Sequence, residues 1–290
     1  MQKSHDISHL RFMIWICLIG FGGVVAKTIK IMPLGDSITE IGCSYRDDLF
    51  TGLKSKGFDI DMVGSNTSQG CSDNNHEGHG GFTIGPGANK ADEWSGGKGN
   101  VSINIDQWLK VNPDVILVYL GVNDFFNLVP PPPSNEVETL AVTKLDGLFA
   151  KIYSSHPDVM IFFGTLMGLR SSPDYYDKFN ANLLPLEKKW LNTGKAIRLV
   201  DLRKQVNMVA GDYSDDIHPG SSGYTKMAAA WLGPVSQYLP ASTRLGPVYP
   251  GPKKWNPDAR PWTKWSERWL FRVDGQRQTS RFNAINFGAF

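Results

Sequence analysis

The run VILVYL at residues 115–120, followed directly by GVND at residues 121–124, decides the fold class that this sequence predicts. A continuous apolar run that contains β-branched residues is typical of a strand buried on both faces. Such strands belong to parallel sheets covered by helices, and these sheets bind ligands just beyond the carboxyl ends of their strands. The polar residues that follow the run are therefore candidates for a functional site.

Shorter apolar runs alternate with helical patterns on both sides of this stretch. We predict four further strands, at residues 29–34, 60–64, 159–165 and 197–201. We predict helices at residues 45–56, 103–111, 135–155, 174–191 and 221–238. This alternation predicts an α/β fold in which a five-stranded parallel sheet lies between two layers of helices.

Two segments do not follow this alternation. Residues 66–100 form a long loop rich in Gly and Asn, and loops of this length in compact domains are often functional. Residues 130–133 are four consecutive prolines, which we interpret as a stiff structural spacer.

Residues 1–26 are predicted to be a secretory signal peptide. Lys3 and Arg11 precede an apolar run at residues 12–26, which is shorter than the roughly 20 residues that span a bilayer. Small residues at the end of the run predict cleavage before Lys27. The mature protein would then be extracellular, with no stable insertion into a membrane. The alternative is an uncleaved signal anchor.

The bulk composition restricts the class of partner. The 290 residues are 41% hydrophobic, as in globular proteins, and 30 basic against 28 acidic residues leave a net charge of +2. This balance gives no reason to expect a nucleic acid or an anionic membrane as the partner. We expect residues 27–240 to form one domain and the protein to be a monomer.

The cysteines and glycosylation sequons fit export. Cys17 lies in the predicted signal peptide, which leaves Cys43 and Cys71 as a pair in an oxidising compartment, so we predict a disulfide between them. The alternative is two reduced, buried thiols. Asn66 and Asn100 begin Asn-x-Ser/Thr sequons and are candidate glycosylation sites.

Residues 241–290 form a C-terminal extension of different composition. They include nine Lys or Arg against three Asp or Glu, together with four tryptophans: Trp255, Trp262, Trp265 and Trp269. One interpretation is an aromatic surface that binds sugars. The other is an ordinary extension that docks on the domain through aromatic residues at helical spacing.

Three polar motifs follow predicted strands. Gly35-Asp36-Ser37 follows the first strand and precedes a helical pattern, which places Ser37 near helix N–H groups that favour a developing anion. The alternative is a simple turn or helix cap. Asn123 follows the strand at 115–120, where its side-chain amide could face an oxyanion or merely form a turn.

The third motif is Asp215-Asp216-Ile217-His218, which follows the last predicted strand. A carboxylate three residues before a histidine can accept a hydrogen bond from Nδ1 and leave Nε2 free to take a proton. Asp216 competes with Asp215 for this task.

The loop HEGHGG at residues 76–81 contains two histidines, but their spacing matches no common metal motif and no third ligand is evident. A better interpretation is that a glycine N–H of this loop donates to an oxyanion.

Taken in order, these four segments resemble the four sequence blocks of the SGNH (GDSL-type) hydrolases, over roughly residues 31–239. The strings at residues 31–40 and 75–81 are most similar to carbohydrate esterase family 3, which includes acetylxylan esterases. The resemblance implies a flavodoxin-like three-layer α/β/α sandwich with a five-stranded parallel sheet, and residues 27–240 would be its catalytic domain. It says nothing about residues 241–290.

The resemblance also implies roles for single residues. Ser37 would be the nucleophile, His218 the base and Asp215 the acid that orients it. The oxyanion hole would consist of the Ser37 N–H, the Gly81 N–H and the Asn123 side chain, with Gly80 as an alternative to Gly81. It implies no cofactor and no metal.

The activity expected from this resemblance is removal of acetyl groups from plant cell-wall polysaccharide, with xylan as the first candidate. One alternative is a short-chain or lipid acyl esterase on the same scaffold, because one fold supports many acyl chemistries. Another is a carbohydrate-binding protein without catalysis, against which the intact set of Ser37, Asn123, Asp215 and His218 argues.

Overall fold

The computed structural model describes residues 27–85, 98–126 and 134–239, with backbone only at residues 126 and 134–137. The predicted signal peptide, the four-proline spacer, the tryptophan-containing extension and part of the loop at 66–100 lie outside the described residues. Among the described helices, none is both long and apolar enough to cross a bilayer.

The sheet is built around a strand buried along its whole length, as the apolar run predicts. Its strands are β1 (Ile29–Gly35), β2 (Ile60–Met62), β3 (Asn66–Thr67), β4 (Asn75–Gly78), β5 (Val115–Tyr119), β6 (Met160–Gly164) and β7 (Ile197–Val200). The order is β3-β4-β1-β5-β6-β7, and β2 also pairs with β1. All pairs are parallel except the pair of β3 with β4. Every residue of β5 and β6 is buried.

Helices cover both faces of this sheet. They are α1 (Ser37–Glu40), α2 (Ser44–Ser55), α3 (Val101–Trp108), α4 (Val122–Phe126), α5 (Ser134–Ser155), α6 (Asp177–Ala181), α7 (Leu183–Asn192), α8 (Leu202–Val206) and α9 (Ser221–Tyr238). Helix α2 packs against α9 on one side, and α3 packs against α5 on the other. The predicted three-layer α/β/α sandwich is confirmed, and each of the five predicted strands is present.

The loop prediction for residues 66–100 is wrong in part, because β3 and β4 lie within it. Strand β4 extends the sheet beside β1, with Leu34 opposite Glu77 and Gly35 opposite Gly78. Strand β4 is buried although its side chains are polar: His76 is 1% exposed and Glu77 is 0% exposed. Their side chains are stabilised by hydrogen bonds instead of apolar contacts, so no hydrophobic alternation marks this strand.

The predicted helix at 174–191 is also corrected, since the structure divides it into α6 and α7. Pro185 is the third residue of α7, and a proline ring clashes with the carbonyl four residues earlier, here Ala181. The first helix therefore ends at Ala181. Asn182, at the junction, donates a hydrogen bond from Nδ2 to the Lys178 carbonyl at 2.8 Å.

Cys43 and Cys71 form a disulfide, as predicted, with their Cα atoms 5.4 Å apart. It joins the start of α2 to the segment between β3 and β4. The side chains of both sequon asparagines form hydrogen bonds within the fold. Asn66 donates to the Gly78 carbonyl at 2.7 Å. Asn100 is 6% exposed and accepts the Ile103 N–H at 3.0 Å. The structure thus gives no support to glycosylation at either asparagine.

Candidate active site

Ser37 lies where β1 ends and α1 begins. The carboxylate of Asp36 caps α1 by accepting the Ile38 N–H at 2.9 Å. Gly35 permits a close approach of the chain, because a Cβ atom there would lie 2.0 Å from Thr39 Oγ1. As the first residue of a helix, Ser37 has an N–H group that no intrahelical acceptor can satisfy. The Ser37 hydroxyl and the Ser37 N–H are thus presented together at the carboxyl end of β1.

Asp36 lies directly behind this serine and is fully buried. Burial raises the pKa of its carboxyl from 3.8 to about 7, against the stabilising hydrogen bond from Ile38, and repulsion from Asp124 and Glu40 adds to the shift. The sequence indicated only a turn or cap residue here. In the structure, this carboxyl, whose pKa is raised by burial, directly precedes Ser37.

His218 and Asp215 lie on a short loop closed by a bridge between Tyr213 and Pro219. Asp215 Oδ2 lies 2.8 Å from His218 Nδ1, while Oδ1 accepts the backbone N–H groups of Ile217 and His218 at 2.7 and 2.6 Å. Partial burial alone would raise the pKa of Asp215, but these hydrogen bonds outweigh it and hold the pKa below its ordinary value. The acid is therefore ionised and oriented toward the imidazole.

Ser37 and His218 meet although 181 positions separate them. Ser37 Oγ lies 2.8 Å from His218 Nε2. Because a carboxylate only accepts hydrogen bonds, we assign the imidazole proton to Nδ1, facing Asp215. Nε2 is then free to accept the serine hydroxyl proton, so Ser37, His218 and Asp215 form one continuous hydrogen-bonded chain.

Asp216, the competing acid, does not contact the imidazole in this arrangement. Its carboxylate accepts hydrogen bonds from the N–H and Oγ of Ser171, at 2.7 and 2.8 Å. The structure thus separates two alternatives that sequence spacing left open.

Asn123 follows β5, as predicted, and is the second residue of α4. Its Nδ2 donates to the Phe82 carbonyl at 3.0 Å, which ties it to the loop that contains Gly81. An amide nitrogen carries two hydrogens, so one remains for a ligand. The next residue, Asp124, holds the same loop through the Ile84 N–H at 3.0 Å and pairs with Lys144 at 3.2 Å.

The two candidate glycines of the loop differ in their hydrogen bonds. The Gly80 N–H donates to Glu40 Oε2 at 2.6 Å. Gly81 adopts φ +81°, a conformation that favours glycine, and its N–H has no acceptor among the described residues. Of the two, Gly81 is the one whose N–H is available for an oxyanion.

The two histidines of the loop serve the fold. His76 Nε2 lies 2.9 Å from Ser68 Oγ, and burial, reinforced by nearby Arg46 and His79, lowers the pKa of His76 to about 4. His79 Nε2 lies 2.6 Å from Glu77 Oε1, and the His79 ring stacks on Trp108 at 4.0 Å. Within the described ranges, no group of three or more His, Cys, Asp or Glu is placed to hold a metal ion.

Three residues of this site had no predicted role: Asp36, Glu40 and Asp124. Asp36 and Asp124 belong to the two strand-end motifs and Glu40 ends the string at residues 31–40, which was the only available signal. Glu40 and Asp124 act through hydrogen bonds with Gly80 and Ile84, about 40 positions away in the sequence. Asp36 instead accepts the N–H of nearby Ile38.

Comparison with known proteins agrees with this geometry. A model of the GDSL-like Lipase/Acylhydrolase family matches residues 34–226, which include all the candidate site residues. A family 3 carbohydrate esterase from Clostridium thermocellum is 31% identical, and the match covers 71% of this chain and 94% of that one, with a TM-score of 0.57. A family 3 carbohydrate esterase structure from Talaromyces cellulolyticus is 22% identical over 72% of this chain and 97% of that one, with a TM-score of 0.59, a likeness of fold.

A multidomain esterase from Ruminococcus flavefaciens is 31% identical over 241 residues, which are 75% of this chain and 30% of that protein. This chain therefore spans only part of the length of that relative. One conclusion follows from the family match, the mostly parallel sheet and the hydrogen bonds that join Ser37, His218 and Asp215. This chain belongs to the GDSL-like lipase/acylhydrolase family, the SGNH hydrolases, and is similar to carbohydrate esterase family 3.

Proposed function

We propose that this chain is a secreted serine esterase that removes acetyl groups from plant cell-wall polysaccharide, with xylan as the first candidate. The single observation that carries the hydrolytic proposal is the hydrogen-bonded chain from Ser37 through His218 to Asp215. The polysaccharide rests on similarity to family 3 carbohydrate esterases. Secretion is supported by the Cys43–Cys71 disulfide, since such bonds persist in oxidising compartments.

The first half of the reaction forms an acyl-enzyme. Ser37 Oγ attacks the ester carbonyl carbon while its proton moves to His218 Nε2. The carbonyl oxygen becomes an anion that the Ser37 N–H, the Gly81 N–H and the second Asn123 amide hydrogen stabilise. When the intermediate collapses, the bond to the sugar oxygen breaks and the proton on Nε2 passes to the leaving alcohol.

The second half returns the enzyme to its starting state. His218 takes a proton from water, and the resulting oxygen nucleophile attacks the acetyl carbonyl on Ser37. Collapse releases acetate and returns the proton to Ser37 Oγ. Throughout, Asp215 keeps the imidazole oriented and stabilises its positive charge.

The test measures acetate release from acetylated xylan by the purified protein, beside short-chain and long-chain p-nitrophenyl esters. We expect rapid acetate release with little long-chain activity. Ser37→Ala should abolish hydrolysis and labelling by phenylmethylsulfonyl fluoride without changing Tm. A preference for the long-chain ester, with no acetate released from xylan, would indicate that the substrate is a lipid ester and not an acetylated polysaccharide. Full activity of Ser37→Ala would refute the mechanism.

A further inference from the structure

Glu40 joins the nucleophile's helix to the loop that carries the proposed oxyanion donor. It is the last residue of α1, the helix that begins with Ser37, and its Oε2 accepts the Gly80 N–H at 2.6 Å. Its own backbone is fixed as well, since the Glu40 N–H donates to the Asp36 carbonyl at 3.0 Å. The carboxylate thus extends from a rigid base.

The loop lies close to the chain on both sides of Ser37, at the end of β1 and along α1. The His79 N–H donates to the Gly35 carbonyl at 2.9 Å, immediately before the Gly80 contact. A Cβ atom on Gly80 would lie 2.3 Å from Glu40 Oε2 and 3.6 Å from Ser37 Cβ. The turn therefore passes directly beside the nucleophile, and the next N–H along the chain is that of Gly81.

We propose that Glu40 is a positioning residue that holds the turn at Gly80 so that the Gly81 N–H faces the oxyanion formed at Ser37. This inference rests on the proposed function. Oxyanion donors act because they are fixed before the reaction, and a misplacement of about 1 Å is costly in rate. Glu40 accepts a hydrogen bond from the Gly80 N–H. This bond anchors the turn and leaves the Gly81 N–H as the donor to the oxyanion.

The role is geometric and does not depend on the charge of Glu40. A negative charge beside a developing oxyanion opposes catalysis, so the carboxylate contributes as a hydrogen-bond acceptor. Glutamine offers an acceptor oxygen at the same reach without the charge. Aspartate keeps the charge but withdraws the acceptor by one methylene group. These two variants separate reach from charge.

The experiment compares Glu40→Ala, Glu40→Asp and Glu40→Gln on p-nitrophenyl acetate. We expect Glu40→Ala and Glu40→Asp to lower kcat by about 10- to 100-fold with KM changed less than about twofold, as for an interaction made in the transition state. Glu40→Gln should keep kcat at or above the wild-type value. Affinity for a trifluoromethyl ketone, which forms a tetrahedral adduct, should fall in parallel with kcat/KM.

Glu187→Ala is the matched control, because Glu187 also accepts a backbone N–H, that of Leu199 at 2.9 Å, at the far edge of the sheet. It should lower Tm without changing kcat. If Glu40→Ala does not fold, the comparison of Glu40→Asp with Glu40→Gln still tests the positioning role. Wild-type kcat in Glu40→Asp, or equal losses in Glu40→Gln and Glu40→Ala, would overturn the positioning role. A wild-type protein that hydrolyses no ester would instead overturn the proposed function.

Discussion

The carboxylate of Asp216 accepts two hydrogen bonds from Ser171, whereas neighbouring Asp215 faces His218. The Asp216 carbonyl also accepts the Arg170 N–H at 2.8 Å. Adjacent acids thus perform different tasks. Asp215 orients the imidazole, and Asp216 anchors the segment that follows β6 to the histidine loop.

This division predicts different consequences for the two Asp→Asn changes. Asp215→Asn replaces an acceptor by an amide that favours the wrong imidazole tautomer, so we expect kcat to fall by about 10²–10⁴. His218→Ala should cost more, because it removes the base itself. Asp216→Asn should leave kcat within about fivefold and lower Tm, since its interactions fix a loop. Steady-state kinetics and thermal unfolding on the three variants measure this. A larger kcat loss in Asp216→Asn than in Asp215→Asn would reverse the assignment.

The fold was predictable where burial is apolar. Residues 115–120 and 159–163 are continuous hydrophobic runs, and they correspond to the buried strands β5 and β6. Strand β4 was not predictable in this way, because its buried residues are His76 and Glu77. The cost of burying these polar side chains is offset by hydrogen bonds with Ser68 and Ser65. Both serines lie outside β4, so the pattern of hydrophobic residues in the strand gives no sign of these bonds.

The site was predictable where its geometry is local. Three positions on a turn suffice to bring Asp215 to His218, and the strand ends bring Ser37 and Asn123 to one edge of the sheet. The choice between Gly80 and Gly81 depended on Glu40, about 40 positions away. The sequence alone contains no local signal for such a long-range hydrogen bond.

Asp36 predicts a pH dependence of stability. Because its carboxyl pKa rises from 3.8 in the unfolded chain to about 7 on folding, the folded state binds its proton more tightly. Stability contributed by this proton is present at acid pH and is lost as pH rises from about 4 to about 7. Asp36→Asn cannot ionise and retains an acceptor for the Ile38 N–H. Its stability relative to the wild type should increase over that range, by at most on the order of 4 kcal/mol.

The measurement for Asp36 is urea unfolding of wild type and Asp36→Asn at matched pH values between 4 and 8. Subtracting the two curves removes the contributions of titrating groups that do not interact with Asp36. A difference that is flat with pH would show that folding does not raise the pKa of Asp36.

The Cys43–Cys71 disulfide predicts a loss of stability on reduction. It closes a sequence separation of 28 residues, and bonds of this kind contribute about 2–4 kcal/mol to the free energy of unfolding. Denaturant unfolding with and without reductant measures the loss. The Cys43→Ser/Cys71→Ser variant is the control, because reductant should not change its midpoint. Free thiols found by mass spectrometry in the native protein would contradict the bond.

Tyr175 lies in the segment that follows β6, on the side of the sheet where the strands end. Its segment leaves β6 at the carboxyl end and is tied to the histidine loop through Asp216. The ring is held edge-on against Phe125 at a centroid distance of 6.0 Å, and Phe125 follows Asn123 by two residues on α4. Tyr175 nevertheless remains 42% exposed. A fixed, exposed ring at this position can stack on a sugar of a polymeric substrate.

Tyr175→Ala should therefore separate polymeric from small substrates. We expect kcat/KM on acetylated xylan to fall by about 2- to 10-fold, the range for loss of one ring-stacking contact, with p-nitrophenyl acetate unaffected. Tyr175→Phe should behave like the wild type. Leu184→Ala, at a residue that is 46% exposed on α7, is the control for loss of surface apolar area and should change neither rate. Equal losses on both substrates would mean that Tyr175 supports the geometry of the site and does not contact the polymer.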